Sequence, residues 1–235
     1  MRPTILLLHA FPLDSRMWDG VRDALEAAGY AVVGPDLPGE PEVAFAAWAH
    51  RVLRLVEGDF VPVGVSMGGY LLFELWRQAP ERIRAVVLVD TRAAPETPEA
   101  REARDELIMV AGEQGVRAVW GRMREKLLAP AATPDAVSRA EQIALEQPIT
   151  SIVATLEAIR DRADSRPTLS TIGVPALVVV GDEDTLTPPA AAEEIAAGIP
   201  NGRLVLIPGC GHLPPLEKPE EFTSALLDFL EEVLA

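Results

Sequence analysis

The feature that most constrains the fold is a set of six short segments, each apolar at nearly every position and rich in Val, Leu or Ile. They span residues 4–8, 30–34, 60–65, 85–90, 176–181 and 203–207. Strands that are covered by helices on both faces have this pattern, whereas half-exposed strands alternate apolar with polar residues. Helical patterns lie between these segments, at residues 17–28, 43–57, 67–79, 190–197 and 219–234. The alternation predicts an α/β fold with about six parallel strands in one doubly wound sheet.

One long segment interrupts this alternation. Residues 91–171 contain no strand-like run, but they contain helical stretches at residues 98–111, 115–128, 134–146 and 149–162. An insertion of this length between two strands is usually a lid or a small cap. We therefore expect a core formed by residues 1–90 and 172–235 and an all-helical cap formed by residues 91–171.

Composition restricts the partners and the location of the protein. The chain has 36 acidic and 21 basic residues, and its net charge of −15 argues against nucleic acid or an anionic membrane surface as a partner. No apolar run reaches 18 residues and no signal-peptide pattern precedes the first predicted strand, so we expect a cytoplasmic protein. The single cysteine cannot form an internal disulfide, and no Cys or His cluster has the spacing of metal ligands. The sequence leaves open whether the protein is a monomer or a homodimer.

The strongest motif is Gly64-Val65-Ser66-Met67-Gly68, which fits G-x-S-x-G between a predicted strand and a predicted helix. A serine on a tight strand-to-helix turn needs glycine neighbours, because side chains there would clash with the sharply bent backbone. Ser66 would then project above the sheet at the N-terminus of a helix. The alternative interpretation is a glycine-rich turn in which the serine has no function.

A serine hydroxyl needs a base, and the base needs an acid that orients it. His50 lies within a predicted helix and His9 ends the first strand, whereas His212 follows the last strand in a loop of Gly and Pro. His212 is therefore the candidate base. Asp184, after the fifth strand, is the first choice for the acid because it preserves the chain order Ser, acid, His. Asp90, at the end of the fourth strand, is the rival.

Acyl transfer also needs hydrogen-bond donors for the oxyanion that develops during the reaction. The backbone N–H of Met67, at the start of a helix, is one candidate. The second is the backbone N–H of Phe11, in the loop after the first strand. Cys210 is a poor candidate for the nucleophile, because it does not lie on a strand-to-helix turn of this kind.

Together these segments resemble the α/β-hydrolases, in the branch with a helical cap that includes 3-oxoadipate enol-lactonases, small carboxylesterases and C–C bond hydrolases. The segment from His9 to Asp14 is similar to the oxyanion loop of that branch, and residues 64–68 are similar to its nucleophile elbow. Asp184 and His212 match the rest of its catalytic triad. Asp36-Leu37-Pro38-Gly39 also fits, but Glu40-Pro41-Glu42 replaces the usual Gly-x-Ser, so we expect a different loop there.

The resemblance implies a serine hydrolase that cleaves a small-molecule ester or lactone through an acyl-enzyme, without a cofactor or a metal. Two alternatives remain open at this point. One is a C–C bond hydrolase or lyase that uses the same triad. The other is a non-catalytic receptor for a small ligand on a hydrolase fold.

The predicted cap carries candidates for contacts with the substrate. Residues 91–171 include 11 basic and 13 acidic residues, so most of the net negative charge belongs to the rest of the chain. Four arginines are candidates to bind a substrate carboxylate: Arg92, Arg117, Arg122 and Arg124. Solvated arginines that pair with acidic neighbours are the alternative. The candidates for apolar walls are Trp18, Trp120 and the ring of Phe11, for which core packing is the alternative.

Overall fold

A six-stranded parallel sheet forms the centre of the computed structural model, which describes residues 2–37 and 44–234. Its strands are β1 (Thr4–Leu8), β2 (Val32–Val33), β3 (Phe60–Val65), β4 (Val86–Val89), β5 (Ala176–Gly181) and β6 (Gly202–Ile207). They lie in the order β2-β1-β3-β4-β5-β6, and each pairs with its neighbour in parallel. The predicted doubly wound α/β fold with six parallel strands is confirmed.

The helices account for most of the remaining described residues. They are α1 (Asp19–Ala27), α2 (Phe45–Val52), α3 (Met67–Gln78), α4 (Pro98–Gln114), α5 (Val116–Leu127), α6 (Pro134–Leu145), α7 (Ile149–Arg160), α8 (Arg166–Leu169), α9 (Pro189–Gly198), α10 (Pro214–Glu217) and α11 (Pro219–Leu234). Helix α3 packs on β1 and β3, α9 packs on β5 and β6, and α1 packs on α11. Within the described ranges, no helix is long and apolar enough to cross a bilayer.

The segment between β4 and β5 contains helices α4 to α8 and, among the described residues, no strand. Two of these helices begin in the same way, because a threonine caps the helix and a proline occupies its first position. Thr97 accepts a hydrogen bond from the Ala100 N–H, and Thr133 accepts one from the Ala136 N–H, each at 3.2 Å. Helix α4 packs on α7 and α5, and α5 packs on α6. The division into a core and a cap remains a prediction.

Burial differs from the prediction at both edges of the sheet. Strands β1, β3, β4 and β5 are almost completely buried, as the apolar runs predict. Strands β2 and β6 are edge strands and stay partly exposed, and Leu206 of β6 is 47% exposed. The prediction of six buried strands was wrong for these two, because an apolar run does not reveal which strand lies at an edge.

Several predicted bounds also change. Strand β2 has two residues where five were predicted, and helix α2 ends at Val52 where the pattern continued to residue 57. The short helices α8 and α10 were not predicted. The predicted loop at Glu40-Pro41-Glu42 and the predicted helix start at Val43 lie outside the described residues.

Candidate active site

Ser66 lies on a strained turn between β3 and α3. Its φ of +53° and ψ of −110° place its backbone in a region that residues other than glycine rarely adopt. The neighbouring glycines permit this turn, because a Cβ on Gly68 would lie 2.2 Å from the Leu8 carbonyl oxygen. A Cβ on Gly64 would lie 2.5 Å from the Gly68 carbonyl oxygen. The turn therefore requires the glycines that the sequence motif contains.

The backbone of Ser66 is held from both sides. Its N–H donates to the Val89 carbonyl at 2.8 Å, and its own carbonyl accepts from the Gly69 N–H at 2.9 Å. The Thr91 hydroxyl also donates to this carbonyl, at 2.8 Å. These bonds fix the residue at the C-terminal edge of the sheet, where its side chain lines a small cavity.

His212 and Asp184 come together in the loops after β6 and β5. The distance from His212 Nδ1 to Asp184 Oδ2 is 2.8 Å, and both side chains are completely buried. Because an ionised carboxylate can only accept, Nδ1 carries the proton and Nε2 keeps its lone pair. The Nε2 atom has no hydrogen-bond partner among the described residues. His212 is therefore oriented to accept a proton at Nε2.

Asp184 is held ionised by its own loop. Its Oδ1 atom accepts the N–H groups of Leu186 at 2.7 Å and Thr187 at 3.0 Å, and its Oδ2 atom accepts the Thr187 hydroxyl. Burial alone would raise the pKa of this carboxyl. His212 and the Thr187 hydrogen bonds lower the pKa by more than burial raises it, so the net pKa lies well below its usual range. Thr187 was not predicted from the sequence as part of the site.

Asp90, the rival acid, lies beside this pair but in a different environment. It is 1% exposed, has a φ of +41° and accepts the Gly181 N–H at 2.9 Å through Oδ1. Its Oδ2 atom has no partner in the part of the chain that the structure describes. Burial, and then the nearby charge of Asp184, raise the pKa of Asp90 well above its usual value. The geometry thus pairs Asp184, not Asp90, with His212.

Among the described residues, one group of side chains is close enough together to hold a metal ion. It consists of Asp90, Asp184 and His212. One ligand atom of each lies within 4.8 Å of the others. The shortest contact among them is the His212–Asp184 hydrogen bond, which a cation at this place would have to replace. The geometry favours a proton-transfer group over a metal centre.

The candidate oxyanion donors lie on the same side of the sheet as Ser66. Met67 is the first residue of α3, so its N–H has no acceptor within the helix. Phe11 follows β1 and lines the same small cavity as Ser66. His9 fixes the loop after β1, because its Nδ1 bonds the Ala10 carbonyl at 3.1 Å and its Nε2 accepts the Leu37 N–H at 2.9 Å. Burial lowers the pKa of His9, which keeps this ring neutral.

Two neighbouring cavities share part of their lining, and Ser66 lines the smaller one. The smaller, of about 10 Å³, is lined by Ser66, Phe11 and Tyr70, and the larger, of about 320 Å³, is lined mainly by residues of α4 and α5. Four residues line both cavities: Arg92, Arg104, Met123 and Leu186. Two arginines, Arg92 and Arg104, therefore line both the cavity at Ser66 and the larger cavity.

Arg104 is a site residue that the sequence analysis missed. It lies on α4, its side chain is 16% exposed, and it is 3.5 Å from Glu96. The sequence contains a pattern that indicates Arg104: it follows Ala100 by four residues and precedes Leu107 by three. This spacing places a basic residue on the apolar face of a helix.

The four predicted arginines separate into two groups. Arg92 lines both cavities and donates to the Leu186 carbonyl, and Arg122 lines the larger cavity. Arg117 lines neither cavity, since its side chain is 77% exposed and lies 3.8 Å from Glu141. Arg124 is exposed and also lines neither.

The two tryptophans predicted as cavity walls, Trp18 and Trp120, pack in the interior and line neither cavity. Trp18 is completely buried, with its ring centroid 6.0 Å from that of Phe222, and Trp120 is 3% exposed. For both residues the structure favours core packing over a wall of the site. Phe11, the third candidate for an apolar wall, does line the cavity at Ser66.

Cys210 is unsuited to act as a nucleophile. It is completely buried, and its carbonyl accepts the Glu183 N–H at 2.9 Å. Burial, together with the nearby Glu217 carboxylate, raises the pKa of its thiol far above the usual value. A thiol that remains protonated reacts slowly, because the thiolate is the nucleophilic form.

Known proteins resemble this chain over nearly its whole length. The pimeloyl-(acyl-carrier protein) methyl ester esterase of Nitrosomonas europaea is 29% identical over 240 residues, which cover 94% of this chain and 93% of that protein. A solved structure of a thermophilic esterase from Thermogutta terrifontis, with malate bound, is 33% identical with a TM-score of 0.92, and the match covers 99% of this chain and 91% of that one.

The enol-lactonase from Burkholderia xenovorans is 25% identical with a TM-score of 0.85, and its match covers 98% of this chain and 92% of that one. A model of the Alpha/beta hydrolase family matches residues 5–225. The matched residues include the Ser66 turn and the loops that carry Asp184 and His212. The chain belongs to the alpha/beta hydrolase family.

Proposed function

We propose that this chain is a serine hydrolase that cleaves a small-molecule ester or lactone through an acyl intermediate on Ser66. The observation that carries the proposal is the buried 2.8 Å bond between His212 Nδ1 and Asp184, in loops at the same sheet edge as the strained Ser66 turn. The names of the relatives support the type of bond, because the esterases and the enol-lactonase are named for the hydrolysis of esters and lactones.

The reaction has two halves. In the first, His212 Nε2 takes the hydroxyl proton of Ser66 while Oγ forms a bond to the substrate carbonyl carbon. The N–H groups of Met67 and Phe11 stabilise the oxyanion. As the tetrahedral intermediate collapses, the bond to the leaving oxygen breaks and that oxygen takes the proton from His212. Asp184 remains ionised and stabilises the imidazolium.

In the second half, water attacks the acyl carbon. His212 accepts a proton from this water, the bond between Ser66 Oγ and the acyl carbon breaks, and Oγ takes the proton back. An ester gives a carboxylic acid and the alcohol that left in the first half, whereas a lactone gives a single ring-opened acid, because its leaving oxygen stays attached to the acyl group. These steps use only side chains and N–H groups of this chain together with water.

The cavity chemistry favours a substrate with a negative charge outside the scissile bond. Arg92 and Arg104 line both cavities, and the larger cavity is lined in addition by Arg122 and Lys126 and by two acidic residues, Glu96 and Glu106. Glu96, whose carboxylate is also bound by the buried Arg162, is the acidic neighbour of Arg104. Guanidinium groups bind carboxylates through paired hydrogen bonds. Residues of α4, α5 and α7 contribute to these walls, in keeping with a cap formed by residues 91–171.

A fluorophosphonate probe with mass spectrometry tests the proposal. The wild type and the control Ser138→Ala, an exposed serine on α6, should each gain one adduct, on Ser66. Ser66→Ala should gain none and should lose the burst with a 4-nitrophenyl ester. A wild type that the probe does not label would indicate a receptor. So would a protein that binds a ligand without turning it over, with an affinity that Ser66→Ala leaves unchanged. Weak ester turnover beside fast cleavage of a diketone would indicate C–C bond hydrolysis.

A further inference from the structure

A buried carboxylate that the proposed reaction does not use holds the loop of His212. Glu217, in the short helix α10, is 6% exposed. Its Oε2 atom accepts the Gly211 N–H at 3.1 Å, and its Oε1 atom accepts the Leu213 N–H at 3.0 Å. Gly211 and Leu213 are the residues on either side of His212, so one side chain fixes the backbone before and after the base.

The same carboxylate reaches a second element. Glu217 Oε2 accepts the Ala129 N–H at 2.7 Å, and Ala129 lies two residues after the end of α5. In addition, the N–H of His212 donates to the carbonyl of Leu127, the last residue of α5, at 3.2 Å. The main chain of the base is therefore bonded to the C-terminal end of α5 both directly and through Glu217.

The contact between the loop and α5 is close enough to require a glycine. A Cβ on Gly211 would lie 2.5 Å from the Ala129 nitrogen and 2.9 Å from the Leu128 carbonyl carbon. Helix α5 in turn contributes Met123 to both cavities and Arg122 to the larger one. The element that carries the base and the element that lines the substrate cavity thus meet at Glu217.

We propose that Glu217 is a positioning residue that couples helix α5 to His212, so that the cavity wall and the general base keep one relative geometry during the reaction. This inference rests on the proposed function. The Asp184 carboxylate is held by donors of its own loop and by His212, whereas the residues on both sides of His212 are bonded to α5 through Glu217. Removing the carboxylate leaves three buried N–H groups without an acceptor and allows the base to shift away from Ser66.

The variant Glu217→Gln tests the coupling, because it keeps the size of the side chain but replaces one acceptor oxygen by a donor. We expect kcat per reactive site to fall about 100-fold, the effect of misplacing a catalytic group by roughly 1 Å. KM should change less than threefold. Active sites are counted from the end point of fluorophosphonate labelling. A role limited to stability would lower that count and leave kcat per labelled site unchanged.

A second variant and a matched control separate the coupling from general damage. Gly211→Ala keeps Glu217 but forces the loop away from Ala129, so it should lower kcat per site in the same way. Asp182→Asn alters an exposed carboxylate that accepts the Gly209 N–H of the same loop at 2.7 Å, and it should stay within twofold of the wild type.

The outcomes also separate this inference from the proposed function. If kcat per site for Glu217→Gln stays within twofold of the wild type, the coupling is overturned while the Ser66 chemistry stands. If Glu217→Gln does not fold, the same result for Gly211→Ala overturns the coupling. A wild type that the probe does not label at Ser66 overturns the proposed function, and the coupling with it.

Discussion

The sheet edge and the helical segment between β4 and β5 build the two halves of this site in different ways. At the sheet edge, Ser66 and Asp184 are placed by hydrogen bonds mostly within a few residues of the strands that end there. In the helical segment, Arg104 and Met123 reach the site from two separate helices, α4 and α5, whose positions depend on packing and on bonds between residues far apart in the chain. The difference indicates that the positions of Ser66 and Asp184 depend on local backbone structure, whereas the proposed substrate contacts depend on the placement of the helices.

The largest expected effect lies at the sheet edge. Asp184→Asn should lower kcat about 10⁴-fold, because the amide cannot stabilise the imidazolium and favours the wrong tautomer of His212. KM should change little, since Asp184 does not line either cavity. Steady-state kinetics on a 4-nitrophenyl ester measure both constants. A loss below tenfold would mean that another group, with Asp90 as the nearest carboxyl, orients the base.

The sheet edge was also the part that the sequence predicted best. Ser66, Asp184 and His212 each follow an apolar run that ends in a turn, so a local pattern locates all three in the chain. The sequence favoured Asp184 through the chain order Ser, acid, His, but it left Asp90 as a rival, because both follow buried strands. The separation depends on Thr187 and Leu186, whose N–H groups hold Asp184, and on the full burial of Asp90.

The contacts that the sequence did not predict join residues that are far apart in the chain. Glu217 binds the N–H of Ala129, which is 88 residues earlier, and no periodicity connects two such positions. Trp18 fits a cavity wall as well as a core position by residue type alone, and its contact with Phe222 decides between them. The prediction that the two edge strands are buried was wrong for the same reason, since strand order is a property of the whole sheet.

A smaller effect is expected from the helical segment. Arg104→Gln should raise KM for an ester or lactone with a free carboxylate about 10- to 100-fold, because hydrogen bonds between charged groups contribute about 1.5–3 kcal/mol. KM and kcat for a neutral ester should stay within twofold. Arg117→Gln is the control, since Arg117 is largely exposed and lines neither cavity. An equal loss on charged and neutral substrates would show that Arg104 supports packing and not selectivity.

The smallest effect returns to the sheet edge and concerns stability. Asp90 has a raised pKa in the folded protein because of its burial and the nearby Asp184, so its contribution to stability is complete at a pH below the unfolded value and is lost as the pH rises. Asparagine stays neutral at every pH, keeps a carbonyl for the Gly181 N–H and tolerates a positive φ. Asp90→Asn should therefore equal the wild type in free energy of unfolding near pH 3 and exceed it at pH 7, because only the wild type then has to keep a buried carboxyl protonated.

Urea denaturation at pH 3, 5.5 and 7 measures this difference, and kcat at pH 7 should remain within about threefold of the wild type, because the bond between His212 and Asp184 is retained. An Asp90→Asn variant that is less stable than the wild type at pH 7 would mean that Asp90 is ionised in the folded protein. Two negative charges would then face His212, and the contrast between the two carboxyls would fail. The expected result instead gives neighbouring aspartates opposite protonation states, because Asp184 has two N–H donors, a hydroxyl and the imidazole to stabilise its charge, whereas Asp90 has the Gly181 N–H.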